Sequence, residues 1–134
     1  MKTKIPESHI DILESICFGH VATMRPDGMI SVHPVSVMWD GNYVEFSTIS
    51  SRKKVRNLEF DKRMTLSIPH PSNPVHYLEL RGRGEVIADT DRKFVNNMAK
   101  KFLALDEYPY DREQDERVVI RLHIEQVSAP KMPS

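Results

Sequence analysis

The residues best suited to chemistry lie between Ser47 and Leu58, in the stretch STISSRKKVRNL. Four cations, Arg52, Lys53, Lys54 and Arg56, occur at the predicted start of a helix. The helix dipole already places partial positive charge there, so each cation costs roughly 0.3–1 kcal/mol of stability. A bound anion would remove that cost, and free N–H groups, serine hydroxyls and cationic side chains together bind phosphate. The alternative is a solvated basic face without a ligand, and the motif alone leaves the two interpretations even.

The serines before these cations define the predicted helix boundary. Ser50 or Ser51 is the predicted N-cap, because a serine hydroxyl accepts a hydrogen bond from the exposed N–H groups of the first turn. The helix is predicted over Ser51–Phe60, with Val55 and Leu58 facing inward.

Pro34 is a second unusual feature, because it lies in the middle of a predicted strand, in SVHPVSV. Proline removes a hydrogen-bond donor from a sheet, so it belongs at an edge or a bulge. A bulge would free backbone groups to bond a flat heterocycle, whereas an edge proline would only block further strand pairing. The ligand interpretation is slightly favoured, because the strand preceding the basic helix is predicted to pair with this one.

Alternating and helical patterns of apolar residues predict the elements that position these side chains. Three helices are predicted, at Pro6–Ile16, Ser51–Phe60 and Thr90–Leu105. Six strands are predicted, at Cys17–Met24, Met29–Trp39, Tyr43–Ile49, Met64–Ile68, Val75–Ala88 and Arg117–Val127.

These elements predict a mainly β fold of the α+β type. It is a six-stranded antiparallel barrel with short flanking helices. Gly82 and Gly84, on the apolar face of the long strand, indicate a bend where the sheet curls. The whole chain, residues 1–134, is expected to form one domain, with a loose tail from Ser128 to Ser134.

Composition limits the kinds of partner. The 19 Lys and Arg residues balance 19 Asp and Glu residues, so net charge predicts neither a nucleic-acid partner nor a membrane surface. The single cysteine, Cys17, fits a reducing compartment, and no apolar run has the length of a signal peptide or membrane span. We therefore expect a cytoplasmic protein.

Other chemistries find little support in the sequence. No metal site is predicted, since the histidines show no ligand spacing; they are His9, His20, His33, His70, His76 and His123. There is no nucleophile elbow, P-loop or dinucleotide fingerprint. A barrel that binds single-stranded nucleic acid remains a weaker possibility, since the few aromatic residues fall mostly on apolar faces.

The order of these segments resembles the split β-barrel flavin and deazaflavin oxidoreductases, which are similar in fold to pyridoxamine 5′-phosphate oxidase. The resemblance extends from about Ile10 to Val127 and is greatest to the branch that uses the deazaflavin coenzyme F420. Its most specific parts are the S-x-x-x-K-x-R-N-L pattern that begins at Ser50 and the segment YPYDREQDERVV before the last strand.

This resemblance implies a homodimer with two cofactor sites at the subunit interface. It places the phosphate on Arg52 and Lys54, near Ser47 and Ser50, with support from Arg56 and Asn57. Lys53 and Arg56 continue the cluster of cations past the phosphate. The tricyclic ring would lie against four strand residues: Val32, His33, Pro34 and Val35. The outward face of the long strand, with Tyr77, Glu79, Arg81 and Arg83, is expected to line the interface.

The function expected from the resemblance is hydride transfer between F420 and a small unsaturated organic substrate. The cofactor carries such chemistry and the protein supplies orientation and exclusion of water. No catalytic acid is assigned. An FMN-dependent oxidase or reductase on the same fold, and a non-catalytic carrier of a flavin-like cofactor, remain open alternatives.

Overall fold

The computed structural model describes residues 5–131, which form three α-helices and seven strands. A 3-10 turn at Glu7–His9 leads into α1. The helices are α1 (Ile10–Glu14), α2 (Lys53–Phe60) and α3 (Lys93–Leu103). The strands are β1 (Phe18–Met24), β2 (Ile30–Ser36), β3 (Met38–Trp39), β4 (Val44–Ile49), β5 (Arg63–His70), β6 (Asn73–Ala88) and β7 (Arg117–Ser128).

All seven strands belong to one sheet, in the order β2-β1-β5-β6-β7-β4-β3, and every pairing is antiparallel. The strands β2 and β3 lie at opposite edges, although only Val37 separates them in the chain. A flat sheet would hold these edges roughly 30 Å apart, since neighbouring strands are about 4.8 Å apart. One residue spans at most about 3.6 Å. The sheet therefore curls until its edges meet, which confirms the predicted mainly β split barrel.

Inward-facing side chains on alternate strand positions fill the curled sheet. The largest fully buried ones include Phe46, Leu66, Leu80 and Ile120. The bend predicted at the glycines of β6 is present, because the β6–β7 register shifts between Arg81 and Gly82. A Cβ atom on Gly82 would lie 1.9 Å from the backbone oxygen of His123, so only glycine fits this close strand approach.

The strand containing Pro34 differs from the prediction in two ways. The predicted six strands become seven, because Met29–Trp39 divides at Val37, and only its last two residues pair with β4. The predicted pairing of this strand with β4 therefore holds for Met38 and Trp39 but not for the part that contains Pro34. The register between β1 and β2 is continuous, with Pro34 opposite His20, so there is no bulge. Pro34 lies on an edge strand, the alternative location predicted for it.

Two other boundaries also differ from the prediction. The predicted strands end at Ile68 and begin again at Val75, but β5 and β6 extend into the residues between them and leave only Pro71 and Ser72 as a turn. Antiparallel pairing between Pro69 and Tyr77 thus tolerates proline.

The helix α2 begins at Lys53, two residues later than predicted. Its N-cap is Arg52, with no side-chain capping bond, so the predicted serine cap is wrong. A turn in which the Arg52 N–H donates to the Ile49 carbonyl, at 3.0 Å, delays the helix past both serines.

The chain ends are only partly covered. The predicted loose tail begins at Ser128, but that residue is the last of β7. Residues 132–134, like the polar N-terminal residues 1–4, lie outside the described range. No helix within residues 5–131 combines the length and apolar character needed to cross a bilayer.

Candidate functional site

The start of α2 concentrates cations that have no acidic partner. Within residues 5–131, no ion pair involves Arg52, Lys53, Lys54 or Arg56. Lys54 is half-buried, and burial, followed by the charges of Arg52 and Arg117, lowers its pKa. An anion near Lys54 would counteract the two neighbouring charges.

The two predicted phosphate-binding serines lie in different environments. The hydroxyl oxygen of Ser47, on β4, accepts a hydrogen bond from Nη1 of Arg117 at 3.3 Å. The backbone N–H of Ser50 donates to the carbonyl oxygen of Glu116 at 2.9 Å, in the turn that precedes α2. Ser47 is therefore linked to β7, and Ser50 joins the turn to the connection between α3 and β7.

Arg117, at the start of β7, belongs to a buried network that the sequence analysis did not assign. Asp111 accepts from Nε and Nη2 of Arg117 at 2.7 and 2.6 Å, and from Nη1 of Arg92 at 2.9 Å. The side chains of Arg117 and Asp111 are both 7% exposed. Hydrogen bonds from Arg117 lower the pKa of Asp111, so the carboxylate is charged at neutral pH. The segment YPYDREQDERVV had been singled out, but its spacing does not show that these residues meet.

This network forms one wall of a polar cleft of about 460 Å³ beside the N-terminus of α2. The lining residues are Ile49, Ser51, Arg52, Tyr108, Tyr110, Asp111, Arg112, Asp115 and Arg117. Arg52 has no acidic partner among the described residues, whereas Arg112 pairs with Asp115 at 3.6 Å. The guanidinium of Arg52 is thus available to bind an anionic group in the cleft.

The four residues predicted to contact the ring lie on edge strand β2, but their side chains alternate between the two faces. Val35 is buried, whereas Val32 is 59% exposed. The imidazole of His33 is half-buried, and its Nε2 is buried without a hydrogen-bond partner. Burial, then Lys54 and Lys53, lowers the pKa of His33, which places this strand near the start of α2. A planar ligand would meet the edge of β2 rather than a single face.

The last two predicted residues, Asn57 and Arg56, point to different roles. Asn57 is 5% exposed, and its Nδ2 donates to Oγ1 of Thr23 at 3.1 Å. This contact attaches α2 to β1. Arg56 is exposed on the same helix. Arg25 does not add to this cation group, because it pairs with Asp27 at 3.0 Å within its own turn.

A second polar cluster, at the N-terminal end of the chain, was also missed. Nε2 of His76 lies 3.0 Å from Asp11, Nε2 of His70 lies 3.7 Å from it, and the rings of His9 and His76 are 4.5 Å apart. Within residues 5–131, no group of three or more His, Cys, Asp or Glu residues has an arrangement suited to a metal ion. The turn between β5 and β6 brings His70 and His76 together, and the packing of the N-terminal segment adds His9 and Asp11. Spacing in the sequence does not reveal this cluster.

A second cavity, of about 410 Å³, lies between β3 and α3. Its walls include Trp39 and Phe94. Its buried acids already have partners, since Glu45 pairs with Arg121 and Asp89 accepts two backbone N–H groups of α3. Asp40 and Asp91, the other acids of its lining, accept backbone N–H groups, so this cavity is acidic where the start of α2 is basic.

Comparison with known proteins places the chain in a family. Residues 5–130 match the family described as pyridoxamine 5′-phosphate oxidase. A solved structure of an F420 reductase has 31% sequence identity and a TM-score of 0.80, with 92% of this chain and 98% of that one covered. No curated protein matches the chain.

More distant solved structures share the fold. General Stress Protein 26 from Bacillus anthracis has 20% identity and a TM-score of 0.68, covering 90% of this chain and 89% of its own. An FMN-binding protein from Nostoc punctiforme related to pyridoxamine 5′-phosphate oxidase has 13% identity and a TM-score of 0.65, covering 93% and 84%. The protein described here belongs to the pyridoxamine 5′-phosphate oxidase family of split-barrel flavin and deazaflavin oxidoreductases.

Proposed function

We propose that this protein is an oxidoreductase that uses the deazaflavin F420 to transfer a hydride to or from a small unsaturated organic substrate. The observation that carries this proposal is half-buried Lys54, which has no acidic partner within residues 5–131. The F420 reductase that is 31% identical over 92% of the chain favours the deazaflavin over FMN.

The residues present suit a phosphate-bearing heterocycle. Lys54 and Arg52 would bind the phosphate, while Ser47 supplies a hydroxyl beside them. The orphaned Nε2 of His33 has a lone pair or proton to offer a polar ligand atom near the strand. When bound, the cofactor supplies a ring carbon that accepts or donates hydride. The protein binds the anionic end, orients the ring along the β2 edge and excludes water from it.

A homodimer would complete the site. The edge of β2 exposes apolar side chains, with Met29 66%, Ile30 62% and Val32 59% accessible to solvent in the single chain. A second copy covering this edge would bury them and enclose a ring that lies against β2. Light scattering at micromolar concentration should give about twice the chain mass of 15.5 kDa. A monomeric protein would contradict the shared-site arrangement.

The alternative cofactor is FMN, because a deazaflavin differs from a flavin by one ring atom and the phosphate site does not distinguish them. The FMN-binding relative from Nostoc punctiforme shows that this fold accommodates FMN, although its identity of 13% carries only the fold to this chain. A non-catalytic carrier of either cofactor is the second alternative. A cytoplasmic location, in keeping with the single buried Cys17, belongs to the same proposal.

The test begins with affinity. Purified protein is titrated with F420 and with FMN in the same buffer, and ring fluorescence reports binding. The reduced form of the tighter ligand is then mixed with a panel of activated alkenes, and its oxidation is followed by absorbance. Tight F420 binding with turnover supports the proposal. Tighter binding of FMN than of F420 would make FMN the cofactor. Binding without turnover of any substrate would favour a non-catalytic carrier.

A further inference from the structure

The segment YPYDREQDERVV contributes six residues to the lining of the cleft, yet the proposed function gives it no role. Tyr108, Asp111 and Arg117 all line this cleft, beside Arg52 at the start of α2. The guanidinium carbon of Arg117 lies 4.6 Å from the centroid of the Tyr108 ring, within the range of a cation–π contact. The aromatic ring therefore covers the cation.

Asp111 fixes the orientation of Arg117 through a two-point contact. Arginine has five N–H donors in a planar fork, and two of them point to the two carboxylate oxygens at 2.7 and 2.6 Å. Burial opposes the charged form of Arg117, but the hydrogen bonds and charge of Asp111 outweigh it and raise the pKa of Arg117. The side chain is thus a fixed cation whose geometry a lysine could not reproduce.

The third hydrogen bond of Arg117 determines how Ser47 can act. Its Nη1 donates to the hydroxyl oxygen of Ser47 at 3.3 Å. Since an arginine N–H can only donate, the hydroxyl hydrogen of Ser47 is not used in this contact and can be donated elsewhere. Two of the five N–H groups of Arg117 are likewise not committed to Asp111 or Ser47. Both side chains can therefore donate to a ligand oxygen.

The charge around this network also favours an anion. Asp111 is shared by Arg92 and Arg117, so the three groups together carry one net positive charge. The charge of Arg117 acts on Lys54, which has no acid of its own within residues 5–131. An anion bound beside both side chains would counteract this repulsion and raise the pKa of Lys54 again.

We propose that Arg117 is a further anion-binding residue, which donates together with Ser47 to a phosphate-ester oxygen of the ligand. Asp111 and Tyr108 are the positioning residues that hold its guanidinium. This inference rests on the proposed function for the location of the phosphate, but it concerns the anion alone and not the ring.

The test uses anion affinity with two probes, FMN and inorganic pyrophosphate, the second of which has no ring. FMN binding is followed by fluorescence quenching and pyrophosphate binding by calorimetry. The variants are Arg117→Lys, Ser47→Ala and the double variant, with Arg92→Lys as the matched control, because Arg92 binds Asp111 without contacting Ser47. Melting temperatures are recorded for each.

Arg117→Lys should lower the affinity for both probes at least tenfold. Ser47→Ala should lower it at least threefold. Because the two residues act as one donor pair, the double variant should lie within twofold of Arg117→Lys. Arg92→Lys should leave both affinities within twofold even where it lowers the melting temperature. If Arg117→Lys does not fold, Tyr108→Ala takes its place and should weaken both probes at least threefold.

The outcomes separate the two proposals. Unchanged affinity in Arg117→Lys, with a lower melting temperature, makes the network structural and overturns the inference while the proposed function stands. Arg117-dependent pyrophosphate binding without binding of FMN or F420 supports the inference and overturns the proposed function. If the parent protein binds no anion, both are wrong.

Discussion

The N-termini of α2 and α3 both carry the partial positive charge of the helix dipole, but their surroundings carry charges of opposite sign. Each helix has an arginine at its N-cap, Arg52 or Arg92, and neither forms a side-chain capping bond of its own. At α3 the carboxylate of Asp89, only 6% exposed, accepts from the N–H groups of Phe94 and Val95 at 3.1 and 2.9 Å. At α2 no acid within residues 5–131 caps the first turn, and cations follow instead.

This difference separates a structural helix end from a binding one. Asp89 supplies negative charge from within the chain, so the dipole and first-turn donors of α3 are satisfied in the free protein. At α2 the same positive end is reinforced by Lys53 and Lys54 and remains without its anion. We interpret the start of α2 as a site completed by a ligand and that of α3 as complete without one.

The largest expected effect is on ligand affinity at α2. Lys54→Ala should weaken binding of the preferred cofactor by about 1.5–3 kcal/mol, the usual range for a hydrogen bond to a charged group. Stability of the free protein should stay the same or rise, because a half-buried unpaired cation is removed. Cofactor titration and thermal unfolding of the same preparation measure both.

Arg63→Ala is the matched control for that change. Arg63 is exposed and pairs with Asp61 at 2.6 Å, beyond the C-terminal end of α2 and away from its cationic N-terminus. Its removal should leave cofactor affinity unchanged. Equal affinity of Lys54→Ala and the parent would mean that the phosphate does not bind at α2.

The next effect is on stability at α3. Asp89→Ala leaves two first-turn N–H groups without an acceptor, and should lower the free energy of unfolding by about 1–2 kcal/mol. Cofactor affinity should not change. Urea unfolding followed by circular dichroism gives the first quantity.

Asp91→Ala serves as its control, since Asp91 accepts from the Lys93 N–H at 3.0 Å from an exposed position. Its loss in free energy of unfolding should be well below that of Asp89→Ala. If the two variants lose the same stability, burial of the capping carboxylate has no special importance and the contrast between the two helix ends weakens.

A smaller effect is expected on pH dependence. Burial, Lys54 and Lys53 lower the pKa of His33 from 6.5, so in the free protein the imidazole is mainly neutral near pH 6.5. A bound phosphate would counteract the lysines and raise the pKa of His33. Binding then takes up protons, and affinity rises as pH falls below about 6.5, by less than about tenfold or 1.4 kcal/mol.

His33→Asn isolates this contribution. FMN affinity of the parent and the variant is measured between about pH 5.5 and pH 7.5, and titration of the ligand phosphate is common to both. Only the parent should show the additional increase at low pH. Parallel pH profiles would show that His33 does not sense the anion.

The smallest effect concerns the choice of cofactor. F420 has a phospholactyl-glutamate tail and therefore more negative charge than FMN, so exposed Lys53 and Arg56 should favour F420. Exposed ion pairs contribute only about 0–1 kcal/mol each and are screened by salt. The F420 preference should be largest at low ionic strength and decrease in Lys53→Ala and Arg56→Ala. Tighter binding of FMN than of F420 at low salt would contradict the deazaflavin assignment.

Local sequence patterns predict most strands of the barrel but not the place where its two edge strands meet. Alternation along Val44–Ile49 and Arg117–Ser128 identifies strands, because it depends on which side chains face a core. The division at Val37 depends on the opposite sheet edge curling back to it, which no local pattern encodes. The predicted serine cap is wrong for a similar reason, since a turn closed by Ile49 and Arg52 delays the helix.

The sequence likewise predicts only part of the candidate site. The cations of α2 are adjacent in the chain, so the sequence predicts them together. Arg117 and Ser47 are 70 residues apart and meet only because β4 pairs with β7, where Ser47 lies opposite Val119. The resemblance to a family provided the cofactor, but not the buried Asp111 that holds Arg117.

The pairing of β4 with β7 also governs how the molecule forms during synthesis. Among the described residues, β4 pairs only with the two residues of β3 and with β7, which is synthesised much later. Contacts between residues so distant in sequence form slowly. Until they form, the unpaired edge of the strand can associate with other chains. A nascent chain that ends before Arg117 carries every cation of α2 but not the strand beside Ser47. The anion site therefore forms only after β7 has left the ribosome.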